Sequence, residues 1–366
     1  MTARGVLFSS LLLAACRPAE AEPQVTALSD AQAETLTALP TAVHGRAVRR
    51  SGDIVRQWPG SYFVTSFVGS TAAFKVGRGA ATLHIFVDGK LVQTLVKPAE
   101  GAYQVQGLEA GRHKLRIEVA NESQEEPTVF RGFYRRPGES ALGSATLGRQ
   151  IEFIGDSYTV GYGNTSSKRE CTEDEIWTTT DTSQSFGPSL ANRYRADYQI
   201  NAISGRGIVR NYGGFEADTL PEAYPFALFE HGAPYNDPAW HPQLIVISLG
   251  TNDFSTPLKL DERWRSREEL HADYEKTYAQ FVLQLRARNP HTSFILWATE
   301  TAEGEVADET QRVVKILQSN GEKRVSFLLV SGLAFSACNY HPSLADDRVI
   351  ADRLAEVIEA QAPFGR

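Results

Sequence analysis

Apolar and polar positions along the chain fall into three regimes. The first is short: Val6 to Ala15 is apolar apart from two serines and follows Arg4. A bilayer span needs ~20 such residues, so residues 1–15 are expected to be a signal peptide rather than a membrane helix. Residues 16–40 mix Pro, Ala and Glu with little apolar content and are expected to be a linker. The second regime, residues 41–145, alternates with a period of two. Leu83, Ile85 and Val87 alternate, Asp88-Gly89 marks a hairpin turn, Leu91-Val92 begins the return strand, and Leu115, Ile117 and Val119 alternate again around charged residues. Gly and Pro punctuation without a helical period predicts an antiparallel β-sandwich.

The third regime, residues 148–366, switches between apolar runs and helical spacing. Ile151–Ile154, Tyr198–Ile203, Leu244–Leu249, Phe294–Trp297 and Val325–Val330 are apolar or mixed runs of strand length. Between them Phe186, Leu190 and Tyr194, then Leu270, Tyr274, Tyr278, Phe281 and Leu285, recur as one helix face would. Further helices are expected around Val313 to Leu317 and from about Asp346 to Ala360. Alternating strands and helices predict an α/β domain, a parallel sheet covered on both faces. The fold expected is therefore a three-layer α/β domain preceded by a β-sandwich.

Composition narrows the functional classes. The chain has 366 residues, 42% hydrophobic, with 37 Lys+Arg against 44 Asp+Glu and a net charge of −7. There is no basic surplus to neutralise phosphates, so nucleic acid is not an expected partner. Leu13-Ala14-Ala15-Cys16 resembles the lipobox of bacterial lipoproteins, which implies a diacylglycerol on Cys16, export to the cell envelope and no other membrane contact, the alternative being plain secretion with Cys16 removed. In an oxidising compartment the remaining cysteines, Cys171 and Cys338, are expected to pair, the alternative being two buried free thiols. There is no CxxC, HExxH or spaced histidine pair, and neither metal nor other cofactor is expected.

Ligand sites in parallel sheets form where loops leave the carboxyl ends of the strands. At those ends the chain reads Gly155-Asp156-Ser157, Ser204-Gly205-Arg206-Gly207, Gly250-Thr251-Asn252-Asp253 and, after the fifth strand, Cys338-Asn339-Tyr340-His341-Pro342-Ser343. A hydroxyl, a glycine turn, an amide and an imidazole are the parts of an acyl-transfer site. Ser157 needs a base to take its proton, and His341 stands at the correct edge. The N–H groups of Ser157 and Gly205 and the Asn252 amide can meet an oxyanion. Each residue also has a structural reading: Ser157 can cap a helix, Asn252 can satisfy its own loop, Gly205 can turn the chain and His341 can cap the last helix. Of the other histidines, His231 lies in a loop of unknown direction and is an alternative base.

These four blocks resemble the SGNH (GDSL-type) hydrolase superfamily over residues 148–366. Together with the β region and GDSYTVGYGN at 155–164, the chain is similar to the second family of carbohydrate esterases, the acetyl xylan esterases with an N-terminal jelly-roll domain. That resemblance implies removal of O-acetyl groups from poly- or oligosaccharides such as xylan or glucomannan. It implies Ser157 as nucleophile, His341 as base, and Ser157, Gly205 and Asn252 as oxyanion hole. The chain departs at Cys338, where most superfamily members place Asp three residues before the histidine. A dyad with a backbone carbonyl as the imidazole's acceptor is implied instead, and a Cys171–Cys338 bridge would tie that loop to the segment after the GDS helix. The insert Gly163–Thr182 with Trp177, the loop Arg206–Phe215 with Arg210 and Tyr212, and Tyr340 flank the site as candidate sugar contacts. The alternatives are a lipase, arylesterase or thioesterase with an apolar acyl cleft, and a catalytically inert carbohydrate-binding surface protein.

Overall fold

The alternating region closes into two antiparallel sheets packed face to face. In the computed structural model, residues 22–143 and 147–365 are described, so the expected signal peptide and Cys16 lie outside the described residues. One sheet runs, in spatial order, Gln24–Ala27, Gly101–Gln106, Ala72–Val76, Thr128–Arg135, Asp53–Arg56 and Ala47–Arg50, with Thr37–Leu39 also pairing with Thr128–Arg135. The other runs Ser140–Leu142, Tyr62–Gly69, Gly111–Val119, Thr82–Val87 and Lys90–Val96, with Ala42–His44 on Tyr62–Gly69. The alternating residues Leu83, Ile85, Val87, Leu115, Ile117 and Val119 meet Phe63, Phe67, Phe74 and Phe130 between the sheets. Asp88 and Gly89 have φ of 50° and 81° and join paired residues Val87 and Lys90, the left-handed pair that a two-residue hairpin requires.

The expected linker over 16–40 is corrected for its described part. Gln24–Ala27 is an edge strand on Gly101–Gln106, Asp30–Glu34 is a helix capped by Ser29, and Thr37–Leu39 pairs with Thr128–Arg135. An edge strand buries few residues, so Val25 and Leu39 are all that this segment contributes to the sandwich core. That is too little to register as a strand pattern in a Pro-, Ala- and Glu-rich stretch.

The second domain is built on five parallel strands in the spatial order Ala196–Ala202, Arg149–Gly155, Leu244–Ser248, Ser293–Ala298 and Val325–Leu329. Numbered along the chain the order is 2-1-3-4-5, which places the topological switch point between Arg149–Gly155 and Leu244–Ser248. Helices Phe186–Arg193 and Leu344–Gln361 cover one face through Phe186, Leu190, Ile350, Leu354 and Ile358. Helices Arg267–Arg288 and Glu305–Ser319 cover the other through Leu270, Tyr274, Tyr278, Phe281, Leu285, Val313 and Leu317.

The two domains share their cores. Trp58 of the sandwich is fully buried within the cluster on one face of the parallel sheet, and Tyr62 and Val64 join the cluster on the other. A buried ion pair sits at the junction. Glu152, in the middle of the first parallel strand, lies 3.4 Å from Arg46 of the sandwich, and both are 2% exposed or less. Glu152 also accepts from Asn201 Nδ2 at 2.6 Å and the Tyr224 hydroxyl at 2.5 Å, while the Arg46 guanidinium lies over the Tyr224 ring at 3.9 Å. Leaving one member of such a pair alone in the interior typically costs ~3–5 kcal/mol. Arg46→Ala is therefore expected to lower unfolding stability by about that amount in guanidinium titrations; a loss below ~1 kcal/mol, the range of exposed pairs, would contradict this view of the interface.

Candidate active site

The first parallel strand ends at Gly155, and the chain turns at once into a helix, Ser157–Val160. Asp156 caps that helix by accepting from the Tyr158 N–H at 3.1 Å, which leaves Ser157 at the first helical position, at the carboxyl end of the sheet beside the switch point. Its Oγ lies 2.9 Å from Nε2 of His341. Sequence positions separated by 184 residues thus meet as a hydroxyl–imidazole pair.

The other imidazole nitrogen decides the tautomer. His341 Nδ1 lies 3.0 Å from the Cys338 carbonyl and 3.1 Å from that of Asn339. Carbonyl oxygens only accept, so Nδ1 carries the hydrogen and Nε2 presents its lone pair to the serine hydroxyl. Two backbone carbonyls therefore hold Nδ1, as the dyad implied by the family resemblance would have it. Tyr162 covers the ring at 4.3 Å between centroids and Tyr158 meets it edge-on at 5.6 Å. Burial among these rings lowers the His341 pKa to about 4, against the pull of the two carbonyls, which favour the charged form.

The loop that presents these carbonyls is held at several points. Cys338 is bonded to Cys171, closing a separation of 167 residues. The Asn339 N–H donates to the Arg169 carbonyl at 2.6 Å, and the Arg169 guanidinium donates to the Phe335 and Ala334 carbonyls at 2.9 and 3.0 Å. Asp346 accepts from the Ala334 and Phe335 N–H groups at 2.7 and 3.1 Å. Asn339 and Tyr340 adopt φ of 51° and 58°, a left-handed conformation that non-glycine residues hold only when their surroundings impose it. Gly163 packs beneath the bridge: a Cβ there would stand 2.4 Å from Cys338 Cβ. These tethers surround the histidine from the insert and from the last helix, and neither Arg169 nor Asp346 carried a signal in the sequence.

Two backbone donors at the carboxyl end of the sheet are unpaired among the described residues. The N–H groups of Ser157 and Gly205 have no acceptor among the described residues. Gly205, with φ of 82°, makes the left-handed turn that begins the loop after the second strand. Asn252 arrives at the same place, at the end of the third strand, but its Nδ2 donates to the Arg206 carbonyl at 2.8 Å and to Asp156 Oδ2 at 3.2 Å. Both amide hydrogens are engaged, so the amide reaches an oxyanion only by sharing or releasing the longer bond. Its neighbour Asp253 is a scaffold residue. It accepts from the N–H groups of Ile208, Val209 and Arg210 at 3.0, 2.9 and 2.9 Å and so shapes the loop after Gly205. Burial raises Asp156 to about 7 and Asp253 to about 6.

The flanking candidates separate. Trp177, on helix Glu173–Thr179 of the insert, lines a cavity of about 320 Å³ with Tyr162, Ile176, Asn121, Glu122 and Gln124, and the Lys97 ammonium lies over its ring at 4.3 Å. Tyr162 both lines this cavity and packs on the His341 ring. Tyr340 is 64% exposed next to His341, with the Arg169 guanidinium over its ring at 4.8 Å, and Tyr212 is also exposed. Arg210, by contrast, is buried: its guanidinium is spent on Glu262 and on the carbonyls of Asp253, Thr256 and Pro257, which removes it from the sugar contacts. His231 pairs with Asp218 and stacks on Phe226 at 4.4 Å, and it makes no contact with Ser157.

Comparison with known proteins identifies the family of both domains. Residues 43–144 match the carbohydrate esterase 2 N-terminal family and residues 153–360 match the GDSL-like lipase/acylhydrolase family. An acetylxylan esterase/glucomannan deacetylase of Cellvibrio japonicus (strain Ueda107) is 42% identical over 328 residues, 88% of this chain and 91% of that protein. Among solved structures, a carbohydrate esterase whose active site displays divergent catalytic and non-catalytic binding functions superposes with a TM-score of 0.84 at 40% identity, covering 88% of this chain and 98% of the other. A family two carbohydrate esterase from Clostridium thermocellum in complex with cellohexaose superposes with a TM-score of 0.76 at 25% identity, covering 88% and 99%. With matches spanning both domains, the chain belongs to carbohydrate esterase family 2, its parallel-sheet domain being a GDSL-like lipase/acylhydrolase.

Proposed function

We propose that this protein is a serine esterase that removes O-acetyl groups from acetylated xylan- or glucomannan-like carbohydrate through an acetyl-enzyme, with Ser157 and His341 as a catalytic dyad. The observation that carries the reading is the 2.9 Å contact between Ser157 Oγ and His341 Nε2, with Nδ1 committed to backbone carbonyls. Ser157 Oγ attacks the acetyl carbonyl carbon while its proton passes to Nε2. The oxyanion so formed is met by the N–H groups of Ser157 and Gly205, aided by the Asn252 amide when it is shared from Asp156. Collapse breaks the bond to the sugar oxygen, which leaves with the proton from Nε2. Water then repeats the sequence on the acetyl-serine and releases acetate.

The substrate class is supported by the relative's activity and by the lining of the Trp177 cavity. Asn121, Glu122, Ser123, Gln124, Glu125, Glu126 and Glu173 are polar, and the Trp177 and Tyr162 rings offer flat faces for a pyranose. Ile176 and the two rings supply apolar faces between these polar groups. An inert binding protein would need no committed tautomer at His341. The Leu13–Cys16 lipobox supports export with a lipid anchor on Cys16, and among the described residues no helix is long and apolar enough to cross a membrane.

Three outcomes test this reading. Ser157→Ala is expected to cut acetate release from acetylated xylan by at least ~10³-fold, with nitrophenyl acetate favoured over long-chain nitrophenyl esters; retained turnover, or a long-chain preference, would contradict it. Because His341 is held to a pKa of about 4, the base stays unprotonated well below pH 6.5, and kcat/KM is expected to fall only as pH drops toward 4. An acid limb centred near 6.5 would place His341 in a wetter setting than this one. Reduction of the Cys171–Cys338 bridge frees the loop that carries the Nδ1 acceptors and is expected to lower kcat by up to ~10²-fold, with KM changed less. Full reduction, verified by thiol titration, with kcat unchanged would show that the other tethers suffice.

A further inference from the structure

The sandwich domain reaches the reaction centre through two side chains. The loop that follows strand Gly111–Val119 runs from Ala120 over the end of the parallel sheet. From it, Glu122 Oε1 accepts from the Ser204 N–H at 2.7 Å, and Gln124 Nε2 donates to the Ser204 carbonyl at 3.3 Å. Ser204 thus has both backbone polar groups held by a domain other than its own. Its carbonyl belongs to the same planar peptide as the Gly205 N–H, and in a trans peptide the two point in opposite directions. Fixing the carbonyl toward Gln124 therefore aims the Gly205 N–H away from the sandwich. That N–H has no acceptor among the described residues. Gly205 adopts a left-handed φ of 82° and has no side chain to hold it in place, so the direction of this donor depends on what grips the peptide before it.

We propose that Glu122 and Gln124 are positioning residues: the β-sandwich orients the Ser204–Gly205 peptide and thereby completes the oxyanion hole of the neighbouring domain. This rests on the esterase reading above and assigns the sandwich a part in rate as well as in shape. Glu122 acts in this role through the carboxyl oxygen that accepts from the Ser204 N–H. A glutamine at 122 keeps an acceptor oxygen in the same place, whereas an alanine leaves the Ser204 N–H without its partner.

Because Glu122 and Gln124 also line the Trp177 cavity, a role in gripping sugar has to be separated from one in aiming the donor. Nitrophenyl acetate carries no sugar. On this substrate Glu122→Ala and Gln124→Ala are each expected to lower kcat by ~10-fold or more, below the ~10²–10³-fold typical of losing a donor outright, with KM nearly unchanged. Glu122→Gln is expected to keep at least a third of wild-type kcat. Melting curves of all variants identify any that fail to fold, and Glu122→Gln with Gln124→Ala keeps the test standing if Glu122→Ala does not. Wild-type kcat on nitrophenyl acetate in the alanine variants, a defect confined to acetylated xylan, or an equal loss in Glu122→Gln and Glu122→Ala would each overturn the proposal. Ser157→Ala, run alongside, reports separately on the esterase reading, since its retained activity would sink that reading and leave the Ser204 grip as a purely structural contact.

Discussion

A neutral imidazole with one committed nitrogen is the constraint on which the site depends. In the proposed dyad the serine hydroxyl becomes a nucleophile only if Nε2 is free to accept, and Nε2 is free only while Nδ1 holds the proton. Here that condition is met by main-chain carbonyls of Cys338 and Asn339 and not by a carboxylate. The exchange has a cost: two carbonyl dipoles stabilise an imidazolium less than a full negative charge does, in keeping with the low pKa of His341. It also has a structural consequence. A carboxylate can be aimed by its own rotamer, but a carbonyl can be aimed only by fixing the backbone. The disulfide, the Arg169 contacts, the Asp346 cap and the left-handed residues Asn339 and Tyr340 all serve that one requirement.

The same logic operates on the opposite side of the serine. Peptide N–H groups, like peptide carbonyls, have no side chain to steer them, and the Ser204–Gly205 unit is steered from outside its domain. The shared cores at Trp58, Tyr62 and Val64 and the Arg46–Glu152 pair make the sandwich a rigid enough base for this. In the proposed site, the geometry of base and donor is thus largely a matter of backbone held by distant residues.

Much of this architecture was legible in the linear chain, and the boundary of legibility has a physical cause. Period-two alternation at Leu83–Val87 and Leu115–Val119 and the helix stripe from Leu270 to Leu285 report burial, a local property, so they located strands and helices correctly. Ser157, Gly205, Asn252 and His341 could be singled out because a parallel sheet gathers its strand ends at one edge, and Ser157 and His341 do lie 2.9 Å apart there. Gln24–Ala27 escaped because an edge strand buries too little to leave a pattern. Arg46 and Glu122 escaped because their partners, Glu152 and Ser204, stand 106 and 82 residues away in another domain. Arg210 drew attention as a basic residue in a flanking loop, yet the acceptors that bury it, from Asp253 to Glu262, could be seen only in the folded chain.

Nitrogen-15 NMR of the His341 side chain at neutral pH tests the central claim most directly. The account predicts a neutral ring with the hydrogen on Nδ1 and an unprotonated Nε2, and a change at Nε2 alone when Ser157 is replaced by alanine. A ring protonated at Nε2, or doubly protonated at neutral pH, would leave Ser157 without a base and contradict the account.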